Sequence, residues 1–178
     1  MKESANSLAL QKHSVVDLVS QRIQAFTQSG ELRLPADYAP ENALKSAWLI
    51  LQQTVDKDKR PVLQVCSRDS IANALLDMVV QGLNPAKKQI YFIAYGSQLV
   101  AQRSYFGTMA LAKRADPVIE DIVAEVVYEG DTFSYRLERG KKVITEHAQA
   151  LANVRAQAIQ AAYCTVIYRD GRETSTIM

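Results

Sequence analysis

Cysteine and histidine are scarce in this sequence. The 178 residues contain two cysteines, Cys66 and Cys164, and two histidines, His13 and His147. Two cysteines without metal-ligand spacing predict free thiols in a reducing compartment rather than a disulfide framework. Neither histidine lies near a candidate nucleophile, and no Gly-rich loop suits the phosphates of ATP. The sequence therefore argues against a zinc site, a disulfide-rich domain and an ATP-driven enzyme, and we expect no cofactor.

Long apolar runs and a strong charge of one sign are also absent. No run reaches the roughly 18 apolar residues of a membrane span, and the polar start at Lys2 and Glu3 has no signal-peptide core. We therefore expect a cytoplasmic protein without membrane contact. The net charge is only +2, so a nucleic-acid site would require local clustering of cations. The composition, 48% hydrophobic and 22% charged, suits one globular domain.

The most informative stretch lies at the centre of the chain. Residues 89–95 are rich in aromatic and β-branched types and predict a strand, and residues 98–104 predict its returning partner. Gly96 and Ser97 between them form a two-residue turn signal. A helix should begin at Tyr105. Its basic end suits the helix dipole.

This turn defines which side chains share a face of the hairpin. If Gly96 and Ser97 form the loop, Tyr91 lies opposite Gln102. The nearly apolar face should be the core face, and it carries Ile90, Phe92, Ala94, Leu99 and Ala101. The other face carries Tyr91, Ile93, Tyr95, Gln98, Val100 and Gln102. Stacking surfaces beside fixed positive charge suit single-stranded nucleic acid, whereas a plain half-exposed strand is the structural alternative.

The remaining pattern predicts helices before the hairpin and strands after it. Ser14 should cap a first helix, Pro40 fits the first turn of a second, and Ser67 or Asp69 caps a third. Residues 118–127, 132–137 and 143–144 resemble a three-stranded meander, residues 147–160 are partly helical, and residues 161–168 and 174–177 form a last hairpin. The predicted class is α+β, with N-terminal helices followed by antiparallel β-hairpins and an intervening helix.

One domain should contain most of these elements. We expect residues 1–13 to be flexible and residues 14–178 to form a single domain, because no internal boundary is evident. The pattern stops within a strand at Met178. We therefore expect the C-terminal end to be truncated relative to a complete domain.

Carboxylates raise the alternative of a metal-dependent nuclease. Glu120, Asp121 and Glu125 form one acidic group, and Asp131 and Glu138 lie near two lysines. The spacing does not favour this interpretation, because the Glu-X-Lys motif, in which X is any residue, is absent. Glu138 is followed by Arg139 and Gly140. Solvated charges that protect a strand edge explain these residues better.

The central motifs resemble a known family. Residues 89–102 (QIYFIAYGSQLVAQ) and 104–116 (SYFGTMALAKRAD) resemble the RecT family of phage and prophage single-strand annealing proteins. Similar blocks are RDSIANA and QGLNP upstream, and VYEGD, His147, AAY and Asp170-Gly171 downstream, so the resemblance extends over residues 39–178. Many members have Tyr-Lys-Gly where this chain has Tyr105-Phe106-Gly107. A DNA contact of that lysine therefore has no counterpart here.

The resemblance implies ATP-independent binding of single-stranded DNA and annealing of complementary strands in homologous recombination. It implies a non-enzyme that forms a homo-oligomeric ring or helical filament, binds the annealed duplex intermediate, and works with a partner exonuclease or a host single-strand-binding protein. A metal-dependent nuclease and a protein-interaction module remain alternatives. Tyr105 should stack on a base, and Phe106 should face the core or a neighbouring subunit. The candidate DNA-binding residues are Lys87, Lys88, Tyr91, Gln102, Arg103, Tyr105, Lys113, Arg114, Arg136, Lys141, Lys142 and Arg155.

Overall fold

The computed structural model describes the backbone of residues 2–178 and the side chains of residues 15–178. The helices are α1 Lys2–Gln28, α2 Pro40–Leu51, α3 Val62–Val65, α4 Arg68–Val80, α5 Tyr105–Ala115 and α6 Leu151–Ala156, with a 3₁₀ turn at Pro85–Lys87. The strands are β1 Ile90–Tyr95, β2 Gln98–Arg103, β3 Ile119–Tyr128, β4 Thr132–Glu138, β5 Lys141–Ala148, β6 Ile159–Tyr168 and β7 Glu173–Ile177.

The predicted α+β class is confirmed. Helices come first, and antiparallel sheets follow with α5 between the first hairpin and the later strands. The chain forms two compact units, residues 1–111 and residues 112–178. The expectation of one domain over 14–178, preceded by a flexible segment, stays a prediction. No helix in the described part of the chain is both long and apolar enough to cross a membrane.

Helices α1, α2 and α4 supply most of the core of the first unit. Each presents one apolar stripe, as the helical spacing predicts. The fully buried side chains include Val15, Val19, Leu51, Trp48, Ile71, Leu75, Met78 and Val79. Pro40 occupies the first turn of α2, as predicted. The prediction that Ser14 begins the first helix is wrong, because α1 already begins at Lys2. Residues 2–13 contain neither glycine nor proline, so nothing in their sequence interrupts a helix.

The β1–β2 hairpin has the predicted turn and register. Tyr95 pairs with Gln98, and Tyr91 pairs with Gln102. Its apolar face lies in the core, where Ile90, Phe92 and Leu99 are buried. The alternation of apolar and polar residues therefore predicted the buried face correctly.

Two serines fasten this hairpin to the beginning of α4. Ser67 caps the helix, since its hydroxyl accepts from the backbone N–H of Ser70 at 3.2 Å. The Ser67 N–H donates to the carbonyl of Ser97 in the hairpin turn at 2.8 Å. The Ser70 hydroxyl accepts from the Leu99 N–H at 3.1 Å. The turn is therefore held by hydrogen bonds as well as by apolar packing.

A tight junction links the open end of the hairpin to α5. The Ser104 hydroxyl donates to the carbonyl of Lys88 at 2.6 Å and accepts from the Gly107 N–H at 3.1 Å, so it caps α5. The Ser104 N–H donates to the carbonyl of Gln89 at 3.1 Å. A Cβ at position 107 would lie 2.1 Å from the Gln89 carbonyl oxygen. Only glycine fits there, because the neighbouring atom belongs to the backbone.

The second unit contains a three-stranded sheet in the order β3-β6-β7 and a separate β4–β5 hairpin. Of the predicted meander, the β4–β5 hairpin is confirmed. The pairing of β3 with β4 is wrong, because β3 pairs with β6. At the end of β3, side chains rather than β4 form hydrogen bonds with the backbone. The Asp131 carboxylate accepts from the Tyr128 N–H at 2.8 Å, and the Gln149 amide donates to the carbonyl of Val126 at 3.0 Å. The last hairpin has its predicted turn at Asp170-Gly171, and His147 lies in β5 rather than in a helix.

Gly107→Ala tests the tight junction. In an ordinary helix interior this change stabilises the protein by about 1 kcal/mol. Here we expect a loss of about 1–3 kcal/mol, because the added methyl group must displace the Gln89 backbone. Chemical denaturation of the two proteins measures the difference. An unchanged or raised stability would contradict the close approach.

Candidate nucleic-acid interface

One face of the β1–β2 hairpin is exposed and carries the two predicted tyrosines. We call it the tyrosine face; its residues are Tyr91, Ile93, Tyr95, Gln98, Val100 and Gln102. Tyr91 is 48% exposed and Tyr95 is 60% exposed. Both rings are held by a strand whose other face is buried in the core. The chain therefore presents flat aromatic surfaces on a rigid element, as binding of unpaired bases requires.

Positive charge lies at the open end of the same hairpin. Lys87 ends the 3₁₀ turn, and Lys88 follows it in the left-handed conformation, with φ of 55°. Arg103 lies on β2 opposite Ile90, one position from the Tyr91–Gln102 pair. Five of the predicted residues thus come together at one end of the hairpin. Their cations are suited to phosphates beside a stacking surface.

The first turn of α5 adds two exposed aromatic rings. Tyr105 is 64% exposed and Phe106 is 40% exposed, and their ring centroids are 4.0 Å apart. The expectation that Phe106 faces the core is wrong for this chain, because the residue of α5 that approaches the hairpin is Gly107. Contact of Phe106 with a neighbouring subunit stays a prediction. Stacking of Tyr105 on a base likewise stays a prediction.

The other six predicted residues lie in the second unit, and several have partners there. Lys113 forms an ion pair with Asp121 at 2.7 Å, and this hydrogen bond holds the pKa of Asp121 below its usual value. Arg136 pairs with Glu138. The ammonium of Lys142 lies 5.3 Å from the ring centroid of Tyr135. The remaining three are Arg114 in the last turn of α5, Lys141 at the start of β5 and Arg155 in the last turn of α6.

A buried carboxylate organises the second unit. The Asp131 side chain is fully buried, and four groups donate to it. Besides the Tyr128 N–H, these are the Asn153 amide at 2.8 Å, the Ala150 N–H at 3.4 Å and His147 Nε2 at 3.5 Å. Burial raises the pKa of Asp131, but the hydrogen bonds from Asn153, Tyr128, His147 and Ala150 outweigh it and lower the pKa to about 2. The group is therefore ionised at neutral pH.

The ionised carboxylate determines the proton positions around it. Asp131 can only accept, so Nε2 of a neutral His147 carries the proton and Nδ1 has a lone pair. The Tyr163 hydroxyl, 3.0 Å from Nδ1, then donates to it. Phe133 stacks on Tyr163 with centroids 5.7 Å apart. His147 therefore has a structural role, and the consequence of its hydrogen bonds is a Tyr163 ring held in one orientation.

Several important residues were missed by sequence reasoning. Gly107 and Ser104 were visible only as part of the SYFG motif, and Asp131 was visible only as a turn residue. A serine directly before a helical segment is a capping signal that the motif does contain. No local signal indicates that Asp131 is buried, since three of its four donors come from residues much later in the chain. Among the residues described, no group of three His, Cys, Asp or Glu side chains is arranged to hold a metal ion.

The fold and the exposed residues define an α+β protein whose stacking surface and cations suit single-stranded nucleic acid. The sequence profile of the RecT family matches residues 41–178, and the chain belongs to this family. Members of the family bind single-stranded DNA, anneal complementary strands in phage recombination and oligomerise. They are annealing proteins rather than typical catalytic enzymes. No curated protein matches the chain.

The Asp131 network predicts a specific response to acid. A carboxyl group with a pKa of about 2 when folded and about 3.9 when unfolded stabilises the protein fully above pH 4. This stability is lost as the pH falls through the folded value. Asp131→Asn should lower the melting temperature at pH 7, because an amide cannot accept from all four donors. The Asp131→Asn protein should also show a smaller decline in melting temperature between pH 4 and pH 2.

Melting curves from pH 2 to pH 7 measure both effects. Asp37→Asn is the control, because Asp37 is an exposed carboxylate of the first unit. Equal acid sensitivity of the Asp131→Asn protein and the unmodified protein would show that Asp131 does not contribute in this way.

Proposed function

We propose that this chain anneals complementary single strands of DNA without nucleoside triphosphate. The observation that carries the proposal is the open end of the β1–β2 hairpin, where Lys87, Lys88 and Arg103 lie within a few residues of the exposed pair Tyr91–Gln102. Cations neutralise the phosphates of a strand whatever its sequence, and aromatic rings stack on any base. Such a site binds one strand independently of its base sequence.

Annealing follows from this mode of binding. A strand held by its phosphates keeps its base edges available, so a complementary strand can pair with it. The free energy comes from base pairing and stacking in the new duplex, and no covalent bond is broken. Hydrolysis of ATP is therefore not required, and the candidate DNA residues include no group assigned a catalytic role.

A long strand requires many copies of the site in a row. We propose a ring or a helical filament, since head-to-tail contacts produce one or the other. An exonuclease that generates single strands and a host single-strand-binding protein are the partners that this activity would need. A cytoplasmic location would fit these partners and the free thiols Cys66 and Cys164.

The exposed aliphatic residues favour a second candidate, a protein-interaction module. Ile93 is partly exposed and Val100 is exposed on the tyrosine face, and neither is expected to contact a phosphate. If this face bound only protein, single-stranded DNA would not compete for it. An assay of single-stranded DNA binding therefore distinguishes the protein-interaction module from the annealing protein.

The direct test is annealing of two complementary oligonucleotides, one fluorescent and one carrying a quencher. We expect the protein to accelerate quenching in buffer without nucleotide and with a magnesium chelator. A strict requirement for ATP would exclude the proposal. In a parallel incubation with magnesium, shortened oligonucleotides on a denaturing gel would indicate the metal-dependent nuclease instead.

Tyr105→Ala tests the stacking ring at the start of α5. Stacking on an aromatic side chain is worth roughly 1–3 kcal/mol per base, so affinity for single strands should fall about tenfold or more. The melting temperature should change little, because Tyr105 is the most exposed aromatic residue of the hairpin and α5.

Phe106→Lys is the matched variant on the neighbouring ring. If Phe106 contacts another subunit, this variant should lose assembly in size-exclusion chromatography while the DNA affinity per subunit changes less. Normal DNA binding by Tyr105→Ala, together with altered affinity but normal assembly in Phe106→Lys, would reverse the two assignments.

A further inference from the structure

A cleft of about 340 Å³ lies along β5 and β7 in the second unit. Thr165 and Ser175 face each other across β6 and β7, and Tyr163 and Glu173 share their side of the sheet. Lys141 and Lys142 of β5 also line the cleft. The cleft lies within one compact unit, and its strands are fixed by their ladders to β4 and β6.

The two hydroxyl groups in the cleft leave one donor available. Thr165 Oγ1 and Ser175 Oγ are 2.8 Å apart, so one hydroxyl donates to the other. The accepting hydroxyl still has its own proton, which is free to bond to a third group. The pair therefore presents one O–H donor.

The outer edge of β7 adds a backbone donor. Met178 exchanges both backbone hydrogen bonds with Ala162, and Tyr168 donates to the carbonyl of Arg172. In an antiparallel ladder the residues between such pairs direct their N–H groups away from the neighbouring strand. Ser175 occupies such a position, and no further strand of the described chain pairs with β7. Its N–H is thus directed to the outer side of the strand.

The charges along the cleft are almost balanced. Two lysines and the carboxylate of Glu173 give a net charge of +1. This charge equals in magnitude the single negative charge of a phosphodiester, whereas a free phosphate near pH 7 carries more. The cleft therefore suits a link of a polynucleotide backbone better than an isolated phosphate ion.

We propose that this cleft binds one phosphodiester of the DNA strand and that Glu173 weakens the contact. The inference rests on the proposed function and deepens it. Lys141 supplies the main attraction, because the ammonium of Lys142 also lies near the Tyr135 ring. The hydroxyl pair and the Ser175 N–H supply directed donors. The Tyr163 ring, held by Phe133 and His147, forms a fixed wall beside them.

A weakened contact suits annealing, because the strand must be released as the duplex forms. Glu173 repels the phosphate at close range and keeps each subunit's contact reversible. The chain would then gain affinity from many weak contacts in an assembly rather than from one strong contact.

The test measures the affinity of the whole chain for a fluorescent single-stranded oligonucleotide over a range of salt concentrations. Glu173→Gln should bind roughly two- to fivefold more tightly, the effect expected of one exposed charge. Lys141→Ala should bind more weakly, with a log–log salt slope about 0.7 smaller in magnitude. The double variant Thr165→Val with Ser175→Ala should bind more weakly at an unchanged slope, because hydroxyl groups carry no charge.

Glu146→Gln is the matched control for Glu173→Gln. Glu146 is an exposed carboxylate on β5 that does not line the cleft. Identical affinities of the two glutamine variants, beside an unmodified protein that binds normally, would overturn the cleft proposal alone. No binding by the unmodified protein would overturn the proposed function and this inference with it. Melting temperatures within the error of the unmodified protein show that the variants fold.

Discussion

The missing side chain of Gly107 is the constraint on which the candidate DNA surface depends. Because position 107 has no Cβ, the first turn of α5 can approach the Gln89 backbone, and Ser104 can bond to the carbonyl of Lys88 and the N–H of Gly107. This contact joins the residues before β1 to the start of α5 at the open end of the hairpin. It also positions the basic residues and Tyr105 on one rigid base, since a loose helix start would leave them on a flexible loop. A backbone contact therefore supports a surface made of side chains.

A buried charge has the corresponding role in the second unit. Asp131 replaces strand pairing at the end of β3, because its carboxylate accepts from the Tyr128 N–H, which a β3–β4 ladder would otherwise use. Burying a carboxylate is costly unless donors surround it, and here four donors do so. The same network orients His147 and Tyr163. Both the end of β3 and the Tyr163 wall of the cleft therefore depend on Asp131. Removing a partner from such a network costs more than the bond itself is worth.

The charge distribution explains how a protein with a net charge of only +2 is suited to nucleic acid. Cations collect at the open end of the hairpin and along β5, while acidic partners offset others, as Asp121 does for Lys113. Exposed ion pairs contribute little to stability. Under the proposed function, these ion pairs keep the attraction local, so that a strand would be held at selected points and could be released.

Local pattern alone determined the first hairpin, its register and its exposed tyrosines, because a two-residue turn and a period of two leave one arrangement with an apolar buried face. It also determined the apolar faces of α2 and α4, and it restricted the cap of α4 to Ser67 or Asp69. Only the tertiary structure decided that β3 pairs with β6 rather than with β4, since residues far apart in the chain compete for the same strand edge and no local signal ranks them. Tertiary packing likewise buried Asp131 and exposed Phe106. Burial depends on what the rest of the fold places around a residue, and neither residue type nor spacing records that.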